Sequence, residues 1–276
     1  MSDVEKWCPE PLWLLAQPLL PDAPQRHQGG GRRRLGDRAV LAAILYVLQT
    51  GCAWSALPAS FGVSSPTAHR RFAEWVEVDV FARLHQTLLD LLGSAGAIDW
   101  SRASVDSMHV RAVRGDLTGP SPVDRGKPGS KIHAMSERGG LPLAVVISAA
   151  NRNDHQELET VVDAVTPVVG PVGRPRRRPR TLHADKGYDY PTCRKALRGR
   201  GIIARIARRG IESARRLGRH RYVIERTLEW VSRFRRLARR YERKAAYFAA
   251  FAQLACTVIC YRRAIKLGLL THNNPK

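Results

Sequence analysis

A run of apolar residues from Ala245 to Tyr261 constrains the fold more than any other feature of this sequence. Its 17 residues must be kept from water, because exposing so much apolar surface is costly. A membrane-spanning helix is the rival interpretation, but such a helix normally requires roughly 20 apolar residues. This run is shorter, contains Gln253 and Thr257, and has a basic dipeptide at each end. The sequence therefore predicts a buried C-terminal helix that packs on a sheet.

The chain as a whole is strongly basic. Its 276 residues include 46 Lys and Arg against 24 Asp and Glu, which gives a formal net charge of +22 and a pI near 10.9. Such a charge makes nucleic acid the leading partner. Hydrophobic residues form 44% of the chain, which is enough to bury a core and excludes a disordered basic tail. A ribosomal or chromatin-like protein would share the charge but would usually lack this apolar patterning.

The cysteines and the N-terminal residues indicate the cellular compartment. The five cysteines are scattered, odd in number and without a C-x-x-C pair. This pattern predicts reduced, buried thiols in a cytosolic protein and argues against a structural zinc site. Residues 1–10 are acidic and contain no apolar stretch, so we expect no secretory signal.

Glycine, proline and charge divide the chain into four predicted parts. Residues 1–36 form a flexible basic lead, 37–97 a helical DNA-binding domain, 98–265 an α/β domain and 266–276 a tail. In the second part, Asp37 can cap a helix that ends at Gly51, and residues 55–61 indicate a short second helix. A turn at Gly62 and a basic helix begun by Ser65-Pro66 complete a pattern typical of a helix-turn-helix.

This basic helix predicts a face that contacts DNA. Its helical spacing places one set of residues inward, namely Ala68, Phe72, Trp75 and Val76. The outward set is Thr67, His69, Arg70, Arg71 and Glu74, of which the first four are candidate nucleic-acid-binding residues. The alternative is a solvated basic face on an ordinary helix. A second basic segment, residues 174–180, is either a solvated loop or a contact to the DNA backbone.

From residue 98 the pattern changes to strands and helices. Strands are predicted at 103–113, 131–135, 143–147, 181–184 and 202–206. Helices are predicted at 153–165, 190–200 and 221–241, before the apolar C-terminal helix. The fold class of this part is therefore α/β, and it follows a small all-helical part.

Two aspartates occupy positions that suit a metal ion. Asp106 lies within a predicted strand, and Asp185 lies where a strand gives way to a turn, a usual place for a ligand in an α/β domain. On neighbouring strands they would suit Mg²⁺, which binds through one or two carboxylates together with phosphate oxygens and water. The alternatives are an ordinary turn residue for Asp185 and an ion pair with a nearby arginine for Asp106.

Glu225 is a third candidate, although helix geometry argues against it. The apolar stripe of its helix is predicted to consist of Val223, Thr227, Trp230, Val231, Phe234, Leu237, Ala238 and Tyr241. Glu225 would then lie opposite the centre of this stripe, beside Arg221 and Leu228. A surface salt bridge is the alternative interpretation. A functional role requires this face to turn toward the strand ends that carry the two aspartates.

Seven stretches of the chain, taken in order, resemble the insertion sequence 5 group of DDE transposases, which is close to the insertion sequence 4 superfamily. The resemblance extends from about residue 5 to residue 265. The stretches are Asp37-Arg38 through Trp54, Phe72-Ala73-Glu74-Trp75, Ser104-Val105-Asp106 with Val110-Arg111-Ala112, Gly129-Ser130-Lys131-Ile132-His133, Ala184-Asp185-Lys186-Gly187-Tyr188-Asp189, Val223-Ile224-Glu225-Arg226, and Arg235-Arg236-Leu237 with Arg240-Tyr241-Glu242-Arg243-Lys244.

The resemblance implies an RNase H-like catalytic core in which Asp106, Asp185 and Glu225 bind divalent metal. It implies two Mg²⁺ ions, with Mn²⁺ able to substitute, and cleavage of element ends followed by joining of the 3′-hydroxyl to target DNA. The implied partners are double-stranded DNA, at the inverted-repeat ends and the target, and further copies of the chain on DNA. No membrane is implied, and the location would be the bacterial cytoplasm, in association with the nucleoid.

Further nucleic-acid contacts are expected from Lys131, Arg221, Arg233 and Arg236. In the related superfamily, the glutamate belongs to a longer signature with a Tyr, an Arg and a Lys. Arg221 and Glu225 match it, whereas Gly218 and Ser232 stand at the Tyr and Lys positions.

Two other functions stay open. One is a metal-dependent nuclease that cuts DNA without joining it, and the other is a DNA-binding regulator whose α/β part is inactive. Strand-transfer products distinguish a transposase from the nuclease, and metal-dependent cleavage excludes the regulator.

Overall fold

The computed structural model describes residues 2–22, 36–210 and 214–271, and it describes no side chain within 214–221. Residues 23–35 of the predicted basic lead lie outside these ranges, as do residues 272–276 and the side chain of Arg221. The predicted division into four parts stays a prediction. The structure is all-helical up to Ser94, and its first strand begins at Ala103.

Five helices form the N-terminal region: α1 (Asp3–Trp7), α2 (Glu10–Ala16), α3 (Asp37–Thr50), α4 (Ser65–Glu77) and α5 (Val80–Ser94). Gly51 ends α3 in the left-handed conformation, with φ at 69°. A Cβ atom at this position would lie 2.8 Å from the Cβ of Arg235, so the close approach also requires glycine.

The predicted helix at 55–61 is wrong in type. The segment contains two 3₁₀ turns, Trp54–Ala56 and Ala59–Phe61, in place of an α-helix. The cap of α4 is also displaced by one residue, since Ser64 is the N-cap and Ser65 begins the helix. The connection between α3 and α4 is therefore longer than the 3–4-residue turn of a common helix-turn-helix.

A mixed sheet forms the second region. Its strands are β1 (Ala103–Ala112), β2 (Gly119–Pro120), β3 (Pro128–Glu137), β4 (Pro142–Ala149), β5 (Thr181–Ala184), β6 (Ile203–Ile206) and β7 (Arg239–Arg240). The main order is β4–β3–β1–β5–β6, with the first three strands antiparallel and the last three parallel. The short β2 pairs with β3, and β7 pairs with the end of β1.

The remaining helices cover both faces of the sheet. They are α6 (Asp154–Asp163), α7 (Pro191–Gly199), α8 (Ala214–Ser232), α9 (Arg235–Ala238) and α10 (Ala245–Lys266). Ser107 of β1 contacts α6, whereas its neighbour Met108 contacts α8. Successive side chains of a strand point to opposite faces, so α6 and α8 lie on opposite sides of the sheet. This arrangement confirms the prediction of an α/β, RNase H-like core after a helical region.

The long helix predicted over 221–241 is wrong at its C-terminal end. Helix α8 stops at Ser232, a short helix follows, and Arg239 and Arg240 add a strand to β1. Arg240 explains the break, because its side chain is fully buried and donates to the Ser130 hydroxyl at 2.7 Å and to the Glu242 carbonyl at 2.9 Å. A continued helix could not bring its guanidinium to these acceptors.

Helix α10 forms the centre of the core. It packs against α5 and β4, and Phe251 stacks on Phe72 of α4 with ring centroids 4.5 Å apart. Within the described residues, α10 is the one helix long and apolar enough to cross a membrane, and 61% of its most apolar window is buried in the protein. This burial agrees with the predicted core helix.

Candidate active site

Asp106 and Asp185 lie at equivalent positions of two neighbouring parallel strands. Ser104 of β1 is opposite His183 of β5, and each aspartate lies two residues further along its strand direction. Adjacent strands are roughly 4.8 Å apart, and side chains two residues apart share a face. Both aspartates are half-buried. The parallel pairing therefore brings these two carboxylates together at one end of the β1–β5 pair.

Local hydrogen bonds orient both carboxylates. The Asp185 side chain caps the 3₁₀ turn Lys186–Tyr188 and accepts from the Gly187 amide at 2.8 Å. The Asp106 carboxylate accepts from the amide of Ser107 at 2.8 Å. In each case a backbone amide fixes one oxygen of the carboxylate.

Glu225 lies beside the face of α8 that covers the sheet. Ile224 and Leu228 are buried and pack with Met108 and Ala134. Ala134 is opposite Asp106 in the register, and Met108 is two residues beyond it, so α8 covers the sheet face that carries Asp106. Glu225 itself is exposed.

The predicted apolar stripe of α8 was rotated from its true position. Leu228, assigned to the polar side, is only 7% exposed. At about 100° per residue, Glu225 lies roughly 60° around the helix from Leu228. Glu225 therefore borders the buried face and does not lie opposite its centre.

A further carboxylate at this end of the sheet, Asp154, was missed by sequence reasoning. It lies in the first turn of α6, where its Oδ1 accepts from the Ser107 hydroxyl at 2.8 Å and from Lys131 Nζ at 2.9 Å. Burial opposes ionisation of Asp154, but the hydrogen bonds from Lys131 and Ser107 outweigh it and lower the pKa of Asp154. The capping box of Asn153 and Gln156 was the sequence signal that this helix began beside an acidic residue.

The buried hydroxyl of Tyr188 lies in the field of these carboxylates. Tyr188 is 1% exposed, and its hydroxyl has no hydrogen-bond partner among the residues that the structure describes. Burial raises the pKa of Tyr188 well above its usual value, and the negative charges of Asp154, Asp106 and Asp185 raise it further. The Tyr188 hydroxyl therefore stays protonated in the folded protein.

Two carboxylates on adjacent strands fit Mg²⁺, which takes one or two carboxylates and fills its remaining positions with water and phosphate oxygens. Within the part of the chain whose side chains are described, no group of three or more His, Cys, Asp or Glu is arranged to hold a metal ion. The fit therefore rests on Asp106 and Asp185, and the structure does not group Glu225 with them.

Three predicted nucleic-acid-binding residues are buried in ion pairs. Arg71 contacts Asp37 at 2.6 Å, Lys131 contacts Asp154 at 2.9 Å, and Arg236 contacts Glu242 at 2.6 Å. Each of the three basic side chains is less than a tenth exposed. The outward positions predicted for Arg71 and Arg236 are therefore wrong, because an acidic partner holds each side chain inside the protein.

The other predicted nucleic-acid-binding residues have more accessible side chains. Thr67 is half-buried and accepts a hydrogen bond from the Ser64 hydroxyl at 3.0 Å. His69 and Arg70 are exposed on α4, and the His69 ring lies edge-on to Trp54. Arg233 is exposed and pairs with Glu229 at 2.6 Å. The side chain of Arg221 lies outside the described residues.

Comparisons with known proteins match nearly the whole chain. The sequence profile of a family described as inferred transposases of the IS4/5 family matches residues 9–85. A second profile, described as the transposase DDE domain, matches residues 94–260. The inferred transposase of insertion sequence element IS402 from Burkholderia cepacia is 46% identical over 144 residues, which cover 52% of this chain and 68% of that protein.

Two further proteins are similar to parts of the chain. An uncharacterized 16.2 kDa protein of insertion element IS402, also from Burkholderia cepacia, is 46% identical over 114 residues, which cover 40% of this chain and 78% of that protein. The crystal structure of a pre-cleavage Mos1 transpososome aligns with 88% of this chain and 82% of its own at 11% identity. Its TM-score of 0.27 is too low to define the fold.

Proposed function

This chain belongs to the IS4/5 family of DDE transposases, and we propose that it cuts the ends of its insertion sequence and joins the released 3′-hydroxyl to target DNA. The observation that carries the proposal is the equivalent placement of Asp106 and Asp185 on two parallel strands. The RNase H-like order of the sheet and the basic charge of the chain support it.

In this proposal Asp106 and Asp185 hold divalent metal, and Glu225 supplies a third carboxylate from α8. When bound, two Mg²⁺ or Mn²⁺ ions lower the pKa of the attacking water or hydroxyl and offset the negative charge on the phosphate. The backbone amides of Ser107 and Gly187 hold the carboxylates of Asp106 and Asp185 in a fixed orientation. The polyanionic DNA is attracted by the surrounding basic surface.

The family and the free thiols also support a cellular location for the protein. The five cysteines are free, and four of them, Cys8, Cys193, Cys256 and Cys260, are buried. Buried reduced thiols are typical of a reducing compartment. We therefore propose that the protein acts as a homo-oligomer on DNA in the bacterial cytoplasm.

The proposal is tested with Asp185→Asn and a matched control in the same motif. Asp189→Asn is the control, because Asp189 is engaged by Arg194 at 2.6 Å and by the Arg209 amide at 2.9 Å. The substrate is a plasmid that carries the coding sequence with its flanking DNA. We expect Asp185→Asn to abolish Mg²⁺-dependent cleavage while DNA binding survives, and Asp189→Asn to keep cleavage.

A second measurement reports metal binding without activity. Mg²⁺ that binds only the folded protein raises its thermal stability. We expect this rise in the wild type and in Asp189→Asn, and a smaller rise in Asp185→Asn. Cleavage by Asp185→Asn at the wild-type rate would refute the site. Cleavage without strand-transfer products would indicate a metal-dependent nuclease. DNA binding without any metal-dependent cleavage would indicate a DNA-binding regulator.

A further inference from the structure

A basic groove lies between α8 and α10, away from the candidate active site. Its volume is about 900 Å³. It extends over the residues before β1, the turn after β3, one side of α8 and the last turns of α10. The groove lining includes Arg102, which is four residues from Asp106, or about 13 Å along an extended strand. The groove therefore lies beyond the start of β1, at about this distance from Asp106, and its Arg226 is adjacent to Glu225 in the chain.

Most of the charged residues that line the groove are cationic. Seven lining residues are Arg or Lys, and two are acidic. Asp99 pairs with Arg138 at 3.1 Å, and the buried carboxylate of Glu137 accepts from the backbone amides of Asp99 and Leu141. Both acidic side chains are thus engaged inside the protein, and the groove keeps a net positive charge.

Aromatic rings hold one of these cations in a fixed place. The guanidinium of Arg226 lies 4.9 Å from the Trp230 ring centre and 5.6 Å from that of Tyr222, and it donates to the Gly139 carbonyl at 2.8 Å. Its buried Nε has no hydrogen-bond partner among the described residues. That nitrogen is shielded from solvent, so the contribution of Arg226 to the groove is a positive charge held in a fixed place.

The end of α10 adds three exposed cations to the same wall. Arg262, Arg263 and Lys266 line the groove and are exposed. Arg262 and Arg263 are adjacent, and Lys266 follows them by four and three residues, so the three side chains share one side of the helix. Three aromatic rings also line the groove: Phe234 is buried, Trp230 is covered by Arg226, and Tyr222 is exposed.

We infer that this groove binds the sugar–phosphate backbone of duplex DNA outside the phosphodiester that is cut. The inference rests on the proposed function. Its basis is the charge of the lining, the fixed guanidinium and the distance from the carboxylates. Contacts from cations to phosphates carry no sequence information, so we expect this binding to be independent of sequence.

The experiment removes the three exposed cations of α10. The variant Arg262→Ala/Arg263→Ala/Lys266→Ala is compared with the control Lys6→Ala/Arg83→Ala/Arg198→Ala, which removes three exposed charges outside the groove. Binding of a 24-base-pair duplex of arbitrary sequence, and of one of its single strands, is measured over a range of KCl concentrations. Cleavage of the plasmid with its own flanking DNA is measured at saturating DNA.

We expect the groove variant to lose duplex affinity by roughly an order of magnitude per contact at 0.1 M salt, with the slope of log affinity against log salt flattened by about 0.9 per contact. The control should change much less, and cleavage at saturating DNA should stay within about twofold of the wild type. Equal flattening in both variants, or a loss confined to the single strand, would overturn the inference. Lack of cleavage by the wild type would refute the proposed function and leave the binding comparison intact.

Discussion

Glu225 and Glu229 lie one turn apart on α8, and both side chains are exposed, yet their surroundings differ. Glu229 accepts from the Arg233 guanidinium at 2.6 Å in an i, i+4 pair. Glu225 borders Ile224, which packs on the sheet face that carries Asp106. Position around the helix therefore separates a carboxylate near the candidate site from one in a surface ion pair.

Replacing each of these glutamates by glutamine tests the assignment. We expect Glu225→Gln to lose plasmid cleavage about as completely as Asp185→Asn, because the amide cannot supply the negative charge that a metal ion requires. Glu229→Gln should be nearly silent, because an exposed pair contributes little. Both should change the free energy of unfolding by no more than roughly 0.5 kcal/mol, as measured by urea denaturation. Normal cleavage by Glu225→Gln would remove this residue from the site.

His85 gives the stability a dependence on pH. Burial lowers the pKa of His85 to about 4, although a hydrogen bond with the Pro142 carbonyl at 3.0 Å opposes this shift. In the unfolded chain a histidine titrates near 6.5. Between these values the unfolded state binds one more proton, so stability falls as the pH falls from about 6.5 toward 4, by up to about 1.4 kcal/mol per pH unit.

We therefore expect His85→Gln to flatten the decline in unfolding free energy between pH 7 and pH 5. Glutamine can still donate to the Pro142 carbonyl but binds no proton. The control is His69→Gln, because the His69 ring is exposed on α4. Urea denaturation at a series of pH values gives the comparison, and an unchanged decline in His85→Gln would show that other groups cause it.

At the scale of elements, short-range patterns predicted much of the fold. The strand predicted at 181–184 coincides with β5, and the helix predicted at 190–200 differs from α7 by one residue at each end. Apolar alternation and turn residues specify such elements locally. The candidate aspartates were found in the same way, because Asp106 lies within a recognisable strand and Asp185 follows one.

Long-range pairs account for what the sequence did not predict. The break after α8 depends on acceptors for Arg240 that lie at Ser130 and Leu117, more than a hundred residues away. Arg236 is buried because it meets Glu242 and the carbonyl of Cys52. Helical periodicity carries no information about such partners. It therefore predicted a helix that was too long and placed Arg236 on its polar face.

Two adjacent arginines on α4 also differ in burial because of a partner outside their helix, and their roles can be distinguished by experiment. Arg70 is exposed, whereas Arg71 is buried against Asp37 at 2.6 Å. We expect Arg71→Ala to lower the free energy of unfolding by about 1–3 kcal/mol, because it leaves the partly buried Asp37 without its ion pair. Arg70→Ala should leave stability within roughly 0.5 kcal/mol.

For DNA binding we expect Arg70→Ala to have the larger effect and Arg71→Ala the smaller one. If Arg70 contacts a phosphate, Arg70→Ala flattens the slope of log affinity against log salt by about one unit. Arg71→Ala, measured at a temperature at which it is folded, should keep the wild-type slope. The reverse result would place the duplex elsewhere and would show that Arg71 leaves its ion pair to bind DNA.

At the scale of the whole molecule, α10 joins the two regions. One continuous hydrophobic cluster contains buried residues of α3, α4 and α5 together with those of the sheet and α10. Phe251 lies at the junction, stacked on Phe72 and buried completely. The helical region therefore covers part of the apolar surface of α10. Without the helical region, that surface of the α/β region would be exposed.

This shared core predicts that the chain unfolds as one unit. We expect Phe251→Ala to cost about 3–5 kcal/mol, because it leaves a cavity against α4. The loss should move the unfolding of both regions together. Tryptophan fluorescence reports both regions, since Trp54 and Trp75 lie in the helical region and Trp100 and Trp230 lie after it, and it should follow the same single transition as far-UV circular dichroism. A fragment of residues 98–271 should then fail to fold as a soluble monomer, since the face of α10 that contacts α4 and α5 becomes exposed. Two separate transitions in the full chain, or a stably folded fragment, would instead show that residues 37–97 and 98–265 are independent domains that only rest against one another.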